Sequence, residues 1–181
     1  SANPLYYAHN LCLNGELVTD LVFPDNVTGI EAYTFSDCEN LTSVTFGDGA
    51  MNIGANAFFD CGNLTSVTFG DGATNIGEYA FSHCGSLTNV TFGKGATNIG
   101  ANAFSDCSSL TSVTIPGSVT SIGDGAFSYC RGLTYVNITD LSSWCKISFG
   151  DYPLDSAYNL CLNGELVTDL VIPDNVTNVG E

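Results

Sequence analysis

Eight cysteines and two histidines are the side chains of this sequence best suited to metal or redox chemistry. Five of the cysteines recur every 23 residues, each three positions after a phenylalanine: Cys38, Cys61, Cys84, Cys107 and Cys130. This regularity predicts one inward-facing column, in which a free thiol behaves as a small apolar side chain. Equivalent thiols about 5 Å apart offer no defined disulfide pairing, and the zinc-binding spacing Cys-x-x-Cys is absent. We therefore expect free buried thiols, no disulfide and no metal site.

A row of acidic residues precedes three of these cysteines, at Asp37, Asp60 and Asp106. Stacked carboxylates could bind calcium, which prefers oxygen ligands. His83 interrupts the row between Asp60 and Asp106, so the sequence favours a solvated acidic edge over a calcium site. Both interpretations stay open at this point.

A catalytic constellation cannot be assembled from these residues. His9 lies in the terminal segment, and His83 occupies a repeat position that is otherwise mostly acidic. Serine and threonine are abundant, but neither histidine comes with a nucleophile and an orienting acid. We predict that the protein is not an enzyme and uses no cofactor.

The elements that position these residues are copies of one 23-residue unit. The copies start at Val18, Leu41, Leu64, Leu87, Leu110 and Leu133, and the last five begin with Leu-x-x-Val-x-Phe/Ile. Such a period predicts a solenoid, because one unit cannot bury its apolar face without its neighbours. The Leu, Val and Phe/Ile side chains point inward from a parallel sheet, and turns such as Gly70-Asp71-Gly72 follow, where we expect glycine to supply unusual φ angles.

A second apolar ladder follows on the return side of each unit. It contains an isoleucine, an alanine and a phenylalanine, for example Ile76, Ala80 and Phe81. The segment is too short for a long helix, so we predict a short helical or 3-10 turn on the convex side. The phenylalanines should stack as a continuous spine.

The period breaks after Leu133, and the next matching strand start is Val167. The intervening residues begin with a good N-cap residue, Asp140, and place Leu141 and Trp144 at helical spacing. The hairpin signal Asn163-Gly164 follows. We predict a single domain over 1–181, with a partial hairpin module at 1–17, 23-residue repeats at 18–138, a Trp/hairpin insertion module at 139–166 and the start of the next repeat at 167–181.

The thirteen residues 10–22 return unchanged at 159–171, and Pro4-Leu5 and Ala8 match Pro153-Leu154 and Ala157. This duplication indicates a super-repeat of 149 residues (159 minus 10). The chain opens without a signal peptide, and we expect a section cut from a longer protein. It stops in mid-repeat at Val179-Gly180-Glu181, so we also expect an exposed apolar end and end-to-end self-association.

The sequence as a whole resembles the BspA-like, or Treponema-type, leucine-rich repeat family. The family pattern Leu-x-x-Val-x-Ile-Pro-x-x-Val-x-x-Ile-Gly-x-x-Ala-Phe-x-x-Cys fits residues 110–130 throughout, whereas the middle repeats have Phe for Ile and Gly for Pro. The resemblance implies a right-handed leucine-rich-repeat solenoid, mainly β, with its parallel sheet on the concave face. It also implies a large, often surface-attached protein of host-associated microbes that adheres to host proteins or to other cells.

Charge restricts the partners. The chain carries 19 acidic and 3 basic side chains, a formal net charge of -16, so it would repel nucleic acid and anionic membranes. No apolar run approaches the roughly 20 residues that span a bilayer, so we expect no membrane insertion. Together with the resemblance, this predicts an extracellular or cell-surface protein whose partner is a host or neighbouring-cell protein or glycan.

The outward positions of the predicted sheet form the candidate binding face, and Tyr135 is its one large aromatic anchor. We expect binding through residues Thr42, Thr45, Thr65, Thr68, Thr88, Asn89, Thr91, Thr111, Ser112, Thr114, Thr134 and Tyr135. Two alternatives stay open. Uniform repeats favour a structural spacer or stalk, and threonine columns about 4.8 Å apart suggest ice binding, although the curvature of a leucine-rich-repeat sheet argues against a flat ice plane.

Overall fold

A computed structural model of the protein describes residues 10–49, 51–174 and Val176. The chain in this part is built from short strands and one short helix. In chain order these are β1 Cys12–Leu13, β2 Glu16–Leu17, β3 Asp20–Phe23, β4 Gly29–Ile30, β5 Ser43–Phe46, β6 Met51–Ile53, β7 Ser66–Thr68, β8 Ala73–Ile76, β9 Asn89–Thr91, β10 Asn98–Ile99, β11 Ser112–Ile115, β12 Ser121–Ile122, β13 Tyr135–Ile138, α1 Leu141–Trp144, β14 Ser148–Phe149, β15 Asn159–Leu162 and β16 Glu165–Leu166.

The strands form a solenoid with two faces. The front sheet consists of two four-stranded parts, β3-β5-β7-β9 and β11-β13-β15-β16, and the back sheet has six strands in the order β14-β12-β10-β8-β6-β4. Pairing is parallel and joins equivalent residues of successive repeats, such as Val44 with Val67, while β15 and β16 pair antiparallel. The predicted stack of 23-residue rungs is therefore confirmed.

The core between the two sheets contains two stacks of phenylalanine rings. The predicted spine of Phe35, Phe58, Phe81, Phe104 and Phe127 is confirmed, with centroids 5.1–5.4 Å apart. A second stack runs through Phe23, Phe46, Phe69 and Phe92 at 5.1–5.3 Å. The stacks meet edge-on, as between Phe46 and Phe58 at 5.8 Å and 81°, an arrangement that suits the charge distribution of aromatic rings.

The return side differs from the predicted helical turns. Each rung first adds a strand to the back sheet and then forms two consecutive reverse turns, closed for example by Ala57 N–H to Gly54 O and Phe59 N–H to Asn56 O. Asn56 and Asp60 have φ angles of 56° and 55°, and equivalent residues of the other repeats share this left-handed conformation. Two left-handed residues in the return segment of each rung are incompatible with a right-handed helix there. α1 is the single helix in the described ranges.

The glycines of the front turns serve a different purpose from the one predicted. Gly70 and Gly72 do not adopt positive φ. A Cβ at Gly72 would instead lie 2.2 Å from the carbonyl oxygen of Asp48 in the preceding rung, so glycine is needed because the rungs approach closely.

Aspartates of the front turns link the rungs. The carboxylate of Asp25 accepts a hydrogen bond from the backbone N–H of Asp48 at 2.8 Å, and that of Asp48 accepts one from Asp71 at 2.9 Å. Asp71 in turn accepts from the N–H of Lys94 at 2.9 Å. The recurrence of aspartate every 23 residues at these turns is the signal for this link in the sequence.

The front sheet is interrupted between β9 and β11, which no strand pairing joins in the described part of the chain. Residue 116 is proline here, whereas Gly47 and Gly70 occupy the equivalent position and donate their N–H to the rung before. Proline lacks that donor. The second phenylalanine stack ends at Phe92, because the equivalent residue of the next rung is Ile115, so the break coincides with two changes in the repeat sequence.

The insertion forms one longer rung. Helix α1 begins as predicted after Asp140, whose carboxylate accepts from Ser143 N–H at 2.6 Å, and Trp144 packs partly buried against the core. The Asn163-Gly164 turn has the predicted positive φ angles, 52° and 88°. The next front strand was expected to start at Val167, but β15 at 159–162 pairs with β13 instead, because the insertion itself returns the chain to the front sheet.

Candidate binding face

The twelve predicted binding residues lie in three rows along the front sheet. We call these rows the front face: the first row holds residues 42, 65, 88, 111 and 134, the second residues 43, 66, 89, 112 and 135, and the third residues 45, 68, 91, 114 and 137. Strand pairing brings members of a row together, such as Ser112 with Tyr135 and Thr68 with Thr91. Between β9 and β11 the rows continue without paired strands, so the structure does not join Asn89 directly to Ser112.

Four of the five threonines in the first row donate their hydroxyl hydrogens within the array. Thr65 donates to the carbonyl of Thr42 at 2.9 Å, and Thr88 donates to that of Thr65 at 3.1 Å. Thr134 makes the equivalent bond to Thr111 at 3.4 Å. A threonine Oγ has a single hydrogen to donate, so these residues can offer a partner only acceptor lone pairs and methyl groups.

Exposure along the front face is uneven. Thr42, Thr45 and Thr68 are half-buried, whereas Thr88, Asn89, Thr91, Thr111, Ser112 and Thr114 are exposed. Tyr135 is 48% exposed, which leaves much of its ring accessible above the small side chains beside it. Thr65 is also exposed and Thr134 is half-buried, so the most continuous accessible part of the predicted site lies on the rungs of β9 and β11, with Tyr135 beside it.

Tyr158 is a residue of this face that the sequence analysis missed. Because Tyr135 pairs with Asn159, Tyr158 takes the next position of the first row, beside Thr134, and it is 82% exposed. The signal was the spacing Leu160-x-Leu162, which repeats the inward pair Val136-x-Ile138 of the preceding front strand and so aligns Tyr158 with Thr134. The two aromatic residues of the front face thus lie at one end, on neighbouring strands.

The family follows from the repeats that build this face. The sequence pattern of the BspA type leucine rich repeat region matches residues 8–134 in six copies. The chain belongs to the BspA-type leucine-rich repeat family. The resemblance deduced from residues 110–130 is thereby confirmed.

Solved structures similar to this BspA-type chain come from bacterial proteins. A leucine rich cell surface protein from Faecalibacterium prausnitzii is 32% identical over 72% of this chain, with a TM-score of 0.65, and a leucine-rich repeat protein from Bacteroides ovatus is 28% identical over 80%, with a TM-score of 0.63. The T. pallidum leucine-rich repeat protein is 26% identical over 80% of this chain and 72% of its own, with a TM-score of 0.63.

The chain spans only about one third of the first two of these structures, 35% and 33% of their lengths. A comparison with proteins of curated function found no match. No helix in the described residues is long and apolar enough to cross a membrane.

The five recurring cysteines of the BspA-type pattern lie in surroundings that disfavour the reactive thiolate form. The five column thiols are buried, as predicted, and four of them donate to a phenylalanine carbonyl, for example Cys84 Sγ to Phe58 O at 3.4 Å. Burial raises the pKa of Cys38 to about 11 and that of Cys84 to about 12. A thiol that stays protonated is a poor nucleophile and a poor metal ligand.

The acidic edge of the array has a conformational explanation. Asp37, Asp60 and Asp106 have φ angles of 55–60°, and His83 between them has 62°. Aspartate and histidine tolerate this left-handed region better than most residues. His83 Nε2 lies 3.7 Å from Asp106 Oδ2, and no group of three metal-ligating side chains gathers within the described ranges. The backbone thus accounts for the residue types without a calcium ion.

Proposed function

We propose that this chain is a non-enzymatic section of a cell-surface protein that binds a host or neighbouring-cell protein or glycan through the front face. The observation that carries the proposal is the exposed pair Tyr135 and Tyr158, which interrupts two neighbouring rows of otherwise small polar side chains. Exposed aromatic residues dominate the energetics of many interfaces because they bury a large area for little loss of conformational entropy.

The family supports this proposal at a coarser level. One similar structure is described as a cell surface protein, and solenoids of stacked repeats generally bind partners through an extended sheet. The net charge of -16 favours partners that are neutral or basic over nucleic acid. The remaining predicted residues, from Thr42 to Thr134, would then supply shape and acceptor groups around the aromatic end.

The test replaces each tyrosine with the residue that other repeats carry at its position. Tyr135→Asn copies Asn89, and Tyr158→Thr copies Thr134, so neither change should disturb the fold. We label the protein with a fluorophore and measure its binding to cultured host epithelial cells. The affinity should fall more than about tenfold in the double variant.

Tyr129→Asp is the matched control, since Tyr129 is 60% exposed at the turn position that Asp106 occupies, away from the front face. It should bind like the unaltered protein. Unchanged cell binding in the double variant, with an unchanged melting temperature, would refute the proposed site.

A structural spacer is the second candidate function, and one observation favours it. The hydroxyls of Thr42, Thr65, Thr88 and Thr134 donate within the array, as expected of a surface built for stability. If this section is a spacer, the front-face variants should bind cells normally when they are placed in the whole surface protein. Replacing the section with unrelated repeats of the same length should likewise leave cell binding unchanged.

A further inference from the structure

A shallow groove crosses three rungs of the back sheet, at β4, β6 and β8. Its volume is about 480 Å³, and the residues that line it include Gly29, Glu31, Asn52, Asn75 and Glu78. We call it the back groove. It lies on the sheet opposite the front face, so a ligand bound there would add to the function proposed above and would not depend on it.

Glycine at position 29 helps to open the back groove. β4 pairs with β6 so that Gly29 lies beside Asn52, and asparagine also occupies the equivalent positions 75 and 98. The φ angle of Gly29 is not positive, and within 4 Å a Cβ there would meet only the carbonyl oxygen of Asn52, at an ordinary distance of 3.5 Å. Neither the backbone nor the packing therefore requires glycine, whose effect is to leave the space of one side chain empty.

Two glutamates on the back groove also depart from the repeat. Glu31 takes a position that is glycine in the next two rungs, and Glu78 takes one that is alanine in the rungs on either side. Both are exposed, and neither carboxylate has a hydrogen-bond or ion-pair partner among the residues that the structure describes. The groove thus presents two uncompensated negative charges.

An asparagine amide without a side-chain partner lies on the middle rung of the groove. Along the back sheet, Ser121 donates to Asn98 Oδ1 and Asn98 donates to Asn75 Oδ1, both at 2.5 Å. Within the described ranges this ladder does not extend to Asn52, whose amide makes no hydrogen bond there. Asn52 is exposed and can offer a ligand both donors and an acceptor.

Tyr79 adds an exposed aromatic ring next to the groove. It directly follows Glu78 and is 36% exposed, although a rung lies on each side of it. Its φ angle of 53° lies in the left-handed region, and the neighbouring rungs have Asn56 and Asn102 in the same conformation. Asparagine tolerates this region, whereas a bulky side chain there is rare. The backbone thus favours asparagine, and a strained, exposed aromatic residue beside a carboxylate points to a role in binding.

The charges select the class of ligand. A neutral ligand such as a glycan would cover both carboxylates without pairing them, which costs free energy. A lysine or arginine side chain pairs with a carboxylate and is also attracted to the face of a tyrosine ring. Glu31 and Glu78 lie two rungs apart, about 10 Å at a strand spacing of roughly 4.8 Å. Side chains about 9 Å apart on one face occur at every third residue of a polyproline II segment.

We propose that the back groove binds an extended segment of another protein that carries lysine or arginine at every third position. One cation pairs with Glu31 and the next with Glu78, beside the ring of Tyr79. The amide of Asn52 bonds to the backbone of the segment between them. The net charge of -16 attracts such a segment as it approaches.

The probe for this site is a fluorescein-labelled peptide of Arg-Pro-Pro repeats, and fluorescence anisotropy measures its binding at about 0.15 M salt. The groove variant combines Gly29→Asn, which copies Asn52, with Glu31→Gln, which removes one charge. Its affinity for the peptide should be at least about tenfold below that of the unaltered protein. The matched control, Glu16→Gln, removes one charge from strand β2, outside the back sheet, and should change the affinity less than about twofold.

Tyr79→Asn tests the aromatic contact at constant net charge. It copies Asn56, so it should lower the peptide affinity roughly threefold while the melting temperature stays the same or rises. A purely structural role of Tyr79 would give the opposite result, a lower melting temperature with unchanged affinity. The front-face variant, Tyr135→Asn with Tyr158→Thr, should bind the peptide normally, so failure of the front-face site and failure of this one are distinguishable.

Three results would overturn the proposal. The groove variant and Glu16→Gln could lose affinity equally, which would mean that the peptide follows overall charge. A peptide of Gln-Pro-Pro repeats could bind as tightly as the arginine peptide. The neutral sugar chitohexaose could bind in place of the peptide and be lost in the groove variant, which would identify a glycan site. If the groove variant melts early, Glu31→Gln alone keeps the backbone unchanged and should still weaken peptide binding about threefold more than Glu16→Gln.

Discussion

Residues 10–22 and residues 159–171 have one sequence and two different environments. The hairpin is the same in both, down to the φ angles of its Asn-Gly turn. The residues after the hairpin differ: Asp20–Phe23 form a strand beside β5, whereas Asp169–Ile172 form none. Local sequence therefore determines the turn, and only a neighbouring rung converts the residues that follow it into a strand.

The largest loss of unfolding free energy is expected for substitutions in the interior of the array, which neither copy reaches. Phe81 is fully buried and stacks on Phe58 at 5.1 Å and Phe104 at 5.4 Å. Phe81→Ala should lower the free energy of unfolding by about 3–5 kcal/mol, because it opens a cavity in the ring stack. Urea unfolding followed by circular dichroism measures the loss, and a change below about 1 kcal/mol would contradict it.

The next largest effect separates the two copies directly. Leu162 packs against the core, while its counterpart Leu13 is 67% exposed. Leu162→Ala should cost about 2 kcal/mol of unfolding free energy and Leu13→Ala less than about 0.5 kcal/mol. Equal losses in the two variants would show that surroundings do not distinguish the copies.

The turn should behave in the opposite way, with equal effects in both copies. Gly15 and Gly164 have positive φ angles, and a Cβ at either position would meet nothing within 4 Å. Alanine in the left-handed region costs about 1 kcal/mol wherever the residue lies.

Hydrogen exchange of the N–H that closes each hairpin reports this cost locally: Val18 N–H to Leu11 O and Val167 N–H to Leu160 O, both at 2.9 Å. Gly15→Ala and Gly164→Ala should each reduce protection of their own closing bond roughly fivefold. A clear inequality between them would mean that the turns, too, depend on their neighbours.

The smallest expected effect concerns pH. The carboxylate of Asp20 accepts hydrogen bonds from Ser43 in the next rung and from Thr19, and the bond from Ser43 is the largest cause that lowers its pKa below 3.8. A lowered folded pKa contributes stability above the unfolded pKa that is lost as pH falls through the folded value.

Asp20→Asn should therefore flatten slightly the decline of melting temperature as pH falls below about 4. Asp20 lies on the surface, so solvent limits the effect. A steeper decline in Asp20→Asn would contradict the assignment.

Much of the fold could be predicted from single repeats. The inward Leu, Val and Phe positions, the cysteine column, the Asn-Gly turn and the Asp140 cap each depend on residues a few positions apart. Features that depend on the distance between rungs were not predictable in this way. The glycines at 70 and 72, the back sheet, and the pairing of β15 with β13 all follow from how closely one rung approaches the next.

The candidate site shows the same limit. Tyr135 was found because it departs from a regular row, but Tyr158 was hidden by the insertion, which shifts the repeat register. The sequence also could not show that hydroxyls such as that of Thr65 donate to the rung before. That bond makes the first row a poorer source of hydrogen-bond donors than its composition suggests.

The side-chain hydrogen bonds between regular rungs have a direction. Thr65 and Thr88 donate to carbonyls 23 residues earlier, and the N–H groups of Asp48 and Asp71 donate to aspartates 23 residues earlier. In each of these bonds the acceptor belongs to chain that the ribosome has already made. A newly synthesised rung can thus complete them as it emerges, so the array suits folding one turn at a time during translation.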